Sequence, residues 1–290
     1  MNRVRRSGVT SWATTIGTRF LPFADAASDD LPLSRLLRLS LFQISVGMAM
    51  VMLVGTLNRV MIVEMGVPTT LVSFMVALPL LIAPFRALIG FQSDHHRSHL
   101  GWRRVPYIWM GTLMQFGGFS IMPFALLVLS GAGQSAQAPQ WVGQFGAAVA
   151  FILVGVGMHT TQTAGLALAT DLSTPEKQPQ VVGLMYVMQL VGMIGCALML
   201  GHLLEDYSHG QLIRVVQAVA VMTLVLNVIA LWKQEPRSRL RKPGTPLEQN
   251  FQQAWQTFCQ GPHTLRRLLV VGFGTMAFTM EDVLLEPYGG

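Results

Sequence analysis

Charged residues are scarce in this chain. They make up 12% of its 290 residues, hydrophobic residues make up 51%, and the mean hydropathy is +0.47. A soluble globular domain usually carries about 25% charged residues. Only two cysteines are present, Cys196 and Cys259, and they have neither metal-ligand nor redox spacing. The composition therefore excludes a typical soluble domain and gives no indication of a zinc site or a disulfide framework.

Signatures of secretion and of catalysis are also lacking. The first ~30 residues contain no short apolar core followed by a small-residue cleavage site, as a signal peptide would. No Walker-type loop is present, and no nucleophile lies in a recognisable pattern with a base. The net charge of +6 could suit nucleic acid, but the cations are not interleaved with aromatic residues. We therefore expect neither an enzyme nor a nucleic-acid-binding protein.

Long apolar runs, by contrast, are abundant. About 20 apolar residues in a helix cross the ~30 Å hydrocarbon layer of a bilayer. The chain contains seven runs of this kind, at residues 36–58, 69–92, 105–130, 143–169, 181–201, 213–232 and 267–288. The sequence therefore predicts an all-α fold, a polytopic membrane helix bundle with about seven spans.

The positive charges lie mainly on one side of these spans. If the connecting segments alternate between the two faces of the membrane, 18 of the 20 Lys and Arg residues fall on one side. Only Arg59 and Arg214 fall on the other. Because basic loops are retained in the cytoplasm, we expect a bacterial inner-membrane protein with a cytoplasmic N-terminus.

The order of the spans predicts four segments. They are a cytoplasmic tail (1–35), a six-helix bundle (36–232), a cytoplasmic linker (233–266) and the first helix of a truncated second bundle (267–290). A polar pattern near the end of the first span recurs near the end of the seventh, which favours two related halves.

The second part of the linker has its own helical pattern. Leu247, Phe251, Trp255 and Phe258 have the spacing of one helix face, which predicts an interfacial amphipathic helix. Such a helix would either cover the cytoplasmic face of the bundle or dock a partner.

Several charged residues lie within or beside the predicted spans, where a charge costs at least ~2.5–3.5 kcal/mol at the bilayer centre. Arg59 has two candidate partners at the outer side of a central cavity, Asp282 and Glu64. The alternative is that these side chains extend to the interface. The full set is Arg59, Glu64, Asp171, Glu281, Asp282 and Glu286.

His159 lies inside the fourth predicted span, with Gln162 three residues further on the same helix face. Neutral imidazole is a metal ligand and would suit the magnesium of a chlorin ring. We expect the nearby glycines to leave room for such a flat ring. The alternative is a hydrogen bond from His159 to a neighbouring helix, and the residues by themselves favour that alternative.

A basic loop follows the second span. Its pattern, Gly90-x-x-x-Asp94 and then Gly101-x-Arg103-Arg104, is similar to the loop signature of the major facilitator superfamily, with extra residues between Asp94 and Gly101. Gly90 is expected to allow close helix approach. The loop set is Arg86, Gly90, Asp94, Arg97, Gly101, Arg103 and Arg104.

Longer blocks resemble the PucC/LhaA family. They include Gly55-Thr56-Leu57-Asn58-Arg59, Ala83-Pro84-Phe85-Arg86 and His159-Thr160-Thr161-Gln162, within residues 39–48, 55–64, 83–91, 100–109, 159–171 and 281–290. The likeness extends over almost the whole chain. This family is a bacteriochlorophyll-delivery branch of the major facilitator superfamily with about twelve spans, so the resemblance implies a fragment or a shortened member.

The resemblance implies a membrane assembly factor for bacterial light-harvesting antenna complexes, which binds or delivers bacteriochlorophyll. His159 and Gln162 would then be the pigment-binding residues. The implied partners are antenna polypeptides, the reaction-centre complex and membrane lipids, in the photosynthetic intracytoplasmic membrane. Two alternatives stay open: a purely structural scaffold, and a proton-coupled transporter of a small solute that uses Asp171, Glu281 or Asp282.

Reporter fusions test the expected orientation. Alkaline phosphatase, which is active only outside the cytoplasm, should be active when fused after residue 66, 135 or 207 and inactive after residue 100, 175 or 245, because basic segments stay inside. Activity of the fusion after residue 245 would contradict the predicted topology.

Overall fold

Long apolar runs form helices because a backbone in lipid must satisfy its hydrogen bonds within the segment. The computed structural model describes residues 24–27, 31–96, 98, 101–131, 138–235 and 251–288, with the backbone alone from 278 to 288. Within these ranges six helices are long and apolar enough to cross a membrane. They are α1 (Leu33–Glu64), α2 (Thr69–His95), α3 (Val105–Ser130), α4 (Gln140–Leu172), α5 (Pro175–Leu203) and α6 (His209–Leu231).

Two further helices follow, α7 (Phe251–Cys259) and α8 (Thr264–Tyr288). The described ranges contain no β-strand, and the prediction of an all-α membrane bundle is confirmed. The seventh predicted span, 267–288, lies within α8. This helix is not one of the six, and its crossing of the membrane stays a prediction.

The first helix is longer than the sequence suggests. We expected it to end near residue 58, but α1 continues to Glu64, so Arg59 lies on a helix rather than in a loop. The helix is α-helical over Leu33–Met50 and has π-helical turns over Val51–Thr56 and Val60–Glu64. The polar pair at the predicted end does not stop the helix because apolar residues resume immediately after it.

The second helix changes geometry at a proline. It is α-helical over Thr69–Ile82, forms a 3₁₀ turn over Ala83–Phe85, and resumes over Arg86–His95. Pro84 has no N–H, and the N–H of Ala83 bonds to the carbonyl of Leu80 instead of that of Pro79. The carbonyl of Pro79 is thus left without its usual helical donor.

Glycines allow several helices to pack backbone against backbone. A Cβ atom placed on Gly111 of α3 would lie 2.7 Å from the carbonyl oxygen of Gly157 of α4, and one on Gly157 would lie 2.4 Å from the carbonyl oxygen of Gly111. A Cβ atom on Gly47 of α1 would lie 2.4 Å from the carbonyl oxygen of Gln189 on α5. One on Gly192 of α5 would lie 2.6 Å from the carbonyl oxygen of Ile44 on α1. Because helices in lipid associate through close backbone packing, these glycines fix the α3–α4 and α1–α5 pairs.

The amphipathic helix predicted in the linker is present as α7. The ring of Phe251 meets that of Phe91 on α2 edge to face, with centroids 5.4 Å apart. The Phe251 ring also stacks on the ring of Trp255, with centroids 6.3 Å apart. The aromatic face of α7 therefore packs at the end of α2. The position of α7 at the membrane interface stays a prediction. Leu247 lies outside the described residues.

A glycine pair on α3 tests the close packing. Gly111→Ala should lower the free energy of unfolding by about 1–3 kcal/mol, because the added methyl group collides with the α4 backbone. Gly117→Ala, on the same helix with nothing within 4 Å of the added atom, is the matched control. Thermal melting in detergent measures both, and an equal effect of the two substitutions would contradict the packing.

Candidate functional site

Buried polar side chains form a band inside the six-helix body. Since lipid offers no hydrogen bonds, such groups must find partners within the protein or bind a ligand. The band includes Gln43 and Ser45 of α1, Thr112 and Gln115 of α3, His159, Thr161 and Gln162 of α4, Gln189 of α5, and Thr223 and Asn227 of α6.

His159 joins α4 to the break in α2. Its side chain is 8% exposed, and its Nε2 atom lies 3.2 Å from the carbonyl oxygen of Pro79. A carbonyl oxygen only accepts, so Nε2 carries a proton, and in the neutral imidazole Nδ1 then keeps its lone pair. The Nδ1 atom is buried and has no hydrogen-bond partner among the described residues. His159 thus makes the helix contact foreseen as its alternative role, and its second nitrogen keeps the lone pair that a magnesium ligand requires.

The glycines near His159 do not leave room for a ring. A Cβ atom on Gly155 would lie 2.6 Å from the Cβ atom of Pro79, and Gly157 packs directly on the backbone of α3. The expectation of open space beside His159 is therefore wrong for this arrangement, because the small residues serve helix packing. The prediction that His159 ligates a pigment is untested by this geometry.

Gln162 contacts α5 rather than His159. Its Nε2 atom donates to Oε1 of Gln189 at 2.9 Å, and Nε2 of Gln189 lies 3.3 Å from the sulfur of Met50. Gln43 is fully buried, and neither of its amide atoms has a partner within the described chain. The band thus combines satisfied interhelical bonds with polar atoms that remain open to a ligand or to water.

The remaining members of the band tie α1, α3, α4 and α6 together. Ser45 donates to Oδ1 of Asn227 at 2.8 Å, and Nδ2 of Asn227 donates to Thr112 at 2.9 Å. Nε2 of Gln115 donates to the hydroxyl of Thr161 at 3.2 Å. Sequence reasoning missed these residues. The available signal was the presence of isolated amide and hydroxyl side chains within otherwise apolar runs.

A second cluster forms at the C-terminal end of α2. The side chain of Arg104 is 8% exposed and pairs with Asp94 at 2.5 Å and Asp171 at 2.8 Å. It also donates to Ser93 at 3.1 Å. Burial by itself lowers the pKa of Arg104, but the hydrogen bond and charge of Asp171, with those of Asp94, outweigh burial and raise the pKa above its ordinary value. This charged guanidinium holds the ends of α2, α3 and α4 together.

Glu235 completes the cluster from the end of α6. Its carboxylate accepts the backbone N–H groups of Arg103 at 2.8 Å, Arg104 at 3.1 Å and Val105 at 2.9 Å. A negative charge is stabilising at a helix N-terminus, here that of α3. Sequence reasoning missed Glu235, although it is the only acidic residue between positions 207 and 247.

The other predicted loop residues are only partly brought together. Arg103 pairs with Asp171 at 2.5 Å but is 45% exposed. Gly101 has a φ of +82°, a conformation that favours glycine. Arg86 donates from Nε to Thr163 at 3.1 Å, away from the cluster.

Two expectations for this region need correction. A Cβ atom on Gly90 would lie 3.6 Å from a methyl group of Thr163, an ordinary contact, so the close approach expected there is wrong. Asp171 was grouped with the intramembrane charges, but it lies at the end of α4 and is 34% exposed. Arg97 lies outside the described residues.

Arg59 and Glu64 lie exposed near the C-terminal end of α1, and the described structure forms no ion pair between them. Burial, with the nearby charge of Glu64, raises the pKa of the Tyr207 hydroxyl. Glu281, Asp282 and Glu286 lie in the part of α8 for which the structure describes the backbone alone. The Arg59–Asp282 pair therefore stays a prediction.

Comparison with known proteins identifies the family. Residues 56–290 match the family model described as PUCC protein. The chain belongs to this family. It is 64% identical over 294 residues to Protein PucC of Rhodovulum sulfidophilum, covering 100% of this chain and 64% of that protein. It is 60% identical over 274 residues to Protein PucC of Rhodobacter capsulatus, covering 94% of this chain and 59% of that one.

A more distant relative is the Bacteriochlorophyll synthase 44.5 kDa chain of Rhodobacter capsulatus. It is 25% identical over 260 residues, which cover 88% of this chain and 57% of that protein. This PUCC family chain thus spans about three fifths of the length of the curated relatives it matches. No solved structure matches the chain significantly.

Paired substitutions test the charge cluster. Arg104→Gln should lower the free energy of unfolding by about 1.5–3 kcal/mol, because it removes charge-assisted hydrogen bonds from a buried guanidinium. Arg103→Gln, at the exposed neighbour, should cost less than about 1 kcal/mol. Thermal melting of the two variants in detergent gives the comparison, and equal losses would mean that Arg104 does not organise the cluster.

Proposed function

We propose that the protein is a membrane assembly factor for bacterial light-harvesting antenna complexes, which binds bacteriochlorophyll or delivers it to antenna polypeptides. The observation that carries the proposal is family membership: the PUCC match over residues 56–290 and the 64% identity to a PucC protein. The name of one relative, a bacteriochlorophyll synthase chain, supports a link between such sequences and this pigment.

The structure supports His159 as the pigment ligand through its second nitrogen. With Nε2 bonded to the carbonyl of Pro79, the imidazole is held in one tautomer, and Nδ1 keeps the lone pair that a magnesium ion would need. In this arrangement α2 fills the space beside Gly155. A pigment would therefore have to approach Nδ1 from a side of the imidazole that leaves the bond between Nε2 and Pro79 in place.

The outer surface supports a role in docking apolar helices. α5 exposes a row of large apolar side chains that includes Tyr186, Leu190, Ile194 and Leu198. We propose antenna polypeptides as the partners of this surface, with the reaction-centre complex as a further candidate. Membrane lipids would cover what the partners leave open.

The interior gives little support to the alternative of a proton-coupled transporter. Such carriers rely on carboxylates inside the membrane. Among the described side chains, no Asp or Glu is buried within the bundle. The carboxylates that are described near the spans, Asp94, Asp171 and Glu64, lie at helix ends and are partly or fully exposed.

We also propose the orientation and the membrane. Arg35 contacts Gln234, Arg103 contacts Asp171, and Arg104 contacts Asp94, so the start of α1 and the ends of α2, α4 and α6 share one face. Eighteen of the 20 Lys and Arg residues belong to this face by sequence. The positive-inside rule then supports a cytoplasmic N-terminus in the inner, photosynthetic membrane.

Deletion of the gene tests the function. Antenna absorption should fall relative to reaction-centre absorption in isolated membranes, with antenna transcript levels unchanged. An unaltered absorption ratio would contradict the proposal. Solute-dependent proton uptake by purified protein in vesicles would instead favour the transporter.

Two substitutions at one position test the pigment ligand. Protein purified from pigmented membranes should carry a bacteriochlorophyll absorption band that both His159→Ala and His159→Gln abolish. The glutamine variant should melt near the wild-type temperature, because its amide N–H can donate to the carbonyl of Pro79 in place of the Nε2 proton.

The exposed His202, at the outer end of α5, provides the matched control, since His202→Gln should keep both the pigment and the melting temperature. Retention of the band by both His159→Ala and His159→Gln would show that His159 does not ligate the pigment. A colourless wild-type protein would count against pigment binding altogether.

A further inference from the structure

A large cavity opens between α1, α3 and α6, on the same face as the Arg104 cluster. Its volume is about 990 Å³, at the upper end of the range for small-molecule sites. It lies apart from the His159 band, and its lining combines basic residues with tryptophans: Arg35, Arg38 and Lys233 with Trp102, Trp109 and Trp232.

The electrostatic balance of the cavity is positive. Among the lining residues that the structure describes, the one carboxylate is Glu235, which accepts three backbone N–H groups at the start of α3 and is therefore committed to that helix. The Nε atom of Arg38 is buried without a hydrogen-bond partner among the described residues. Lys233 adds a third cation in the turn after α6. A cavity lined by three cations, whose described carboxylate is already bonded to backbone N–H groups, favours an anionic ligand.

The apolar side of the cavity faces the bilayer. Trp232 is 61% exposed and Trp109 is 41% exposed, and both line the opening with Val228. Arg38 and Trp109 lie four or five residues inside the ends of α1 and α3, which corresponds to ~6–7.5 Å along the helix axis. Tryptophan is enriched at the level of lipid headgroups. The cavity therefore extends from headgroup level into the beginning of the acyl-chain region.

We propose that this cavity binds an anionic phospholipid of the cytoplasmic leaflet. The phosphate group would contact Arg38 and Lys233, and an acyl chain would lie along Trp109 and Val228. Basic pockets between transmembrane helices on the cytoplasmic side bind anionic headgroups, and that leaflet supplies anionic lipid. The assignment of the leaflet rests on the orientation proposed above, whereas the binding chemistry does not.

Native mass spectrometry of the purified full chain in detergent tests the site. Phosphatidylglycerol and phosphatidylcholine with identical acyl chains are titrated separately, and the ratio of their apparent affinities gives the preference. Wild type should prefer phosphatidylglycerol, and loss of one cation should reduce the preference about five-fold. Because detergent has no sides, the result does not depend on the membrane orientation or on pigment binding.

The variants are Arg38→Gln and Lys233→Gly. Lys233 has a φ of 54°, which glycine adopts without strain, so Lys233→Gly removes the charge while preserving or raising the melting temperature. This variant keeps the test decisive even if Arg38→Gln does not fold. Arg214→Gln, at the opposite end of the same helix α6, removes an equal charge and should leave the preference unchanged.

Three results would overturn the proposal. The first is an equal affinity of the wild-type protein for the two lipids, and the second is an equal loss of preference in Arg214→Gln and Lys233→Gly, which would indicate diffuse surface attraction. The third comes from inorganic phosphate added without lipid: if it raises the melting temperature as much as phosphatidylglycerol does, the site takes a free anion and not a lipid.

Discussion

The structure depends on one constraint: a polar group buried in the membrane must find its hydrogen bond inside the protein or from a bound ligand or water. The break in α2 shows how this constraint links distant parts of the chain. Pro84 and the 3₁₀ turn leave the carbonyl of Pro79 without a helical donor, and His159, 80 residues further along, supplies one. The bond fixes the tautomer of His159 and leaves its other nitrogen buried with a lone pair. A structural requirement of α2 thus leaves the lone pair on which the proposed pigment ligand rests.

Much of the fold could be predicted from the sequence because lipid leaves few choices. Apolar runs of sufficient length become helices, and the α3 boundaries agree with the prediction, residues 105–130. The predicted end of α1 was wrong because Asn58 and Arg59 resemble a helix end. The π-helical turns that extend the helix to Glu64 have no clear sequence signal. The amphipathic α7 was predictable because its aromatic residues repeat at helical spacing.

The candidate site was less predictable, since its geometry depends on which helices are neighbours. His159 could be singled out as a histidine within a span, but its bond to Pro79 requires α2 beside α4. The same adjacency fills the space at Gly155 that was expected to be open. Glu235 has no local motif at all, and it becomes significant only when the end of α6 reaches the start of α3. A single sequence reports residue types and periods, not the pairing of helices.

The bond between His159 and Pro79 is the central element of this account, and nitrogen-15 NMR of histidine-labelled protein measures it most directly. The spectrum of His159, assigned by its loss in a variant at that position, should show a protonated Nε2 and an unprotonated Nδ1 in the pigment-free protein. On addition of bacteriochlorophyll, the Nδ1 resonance should shift while Nε2 stays protonated. A protonated Nδ1 with a bare Nε2 would contradict the account, because the carbonyl of Pro79 would then lack its donor.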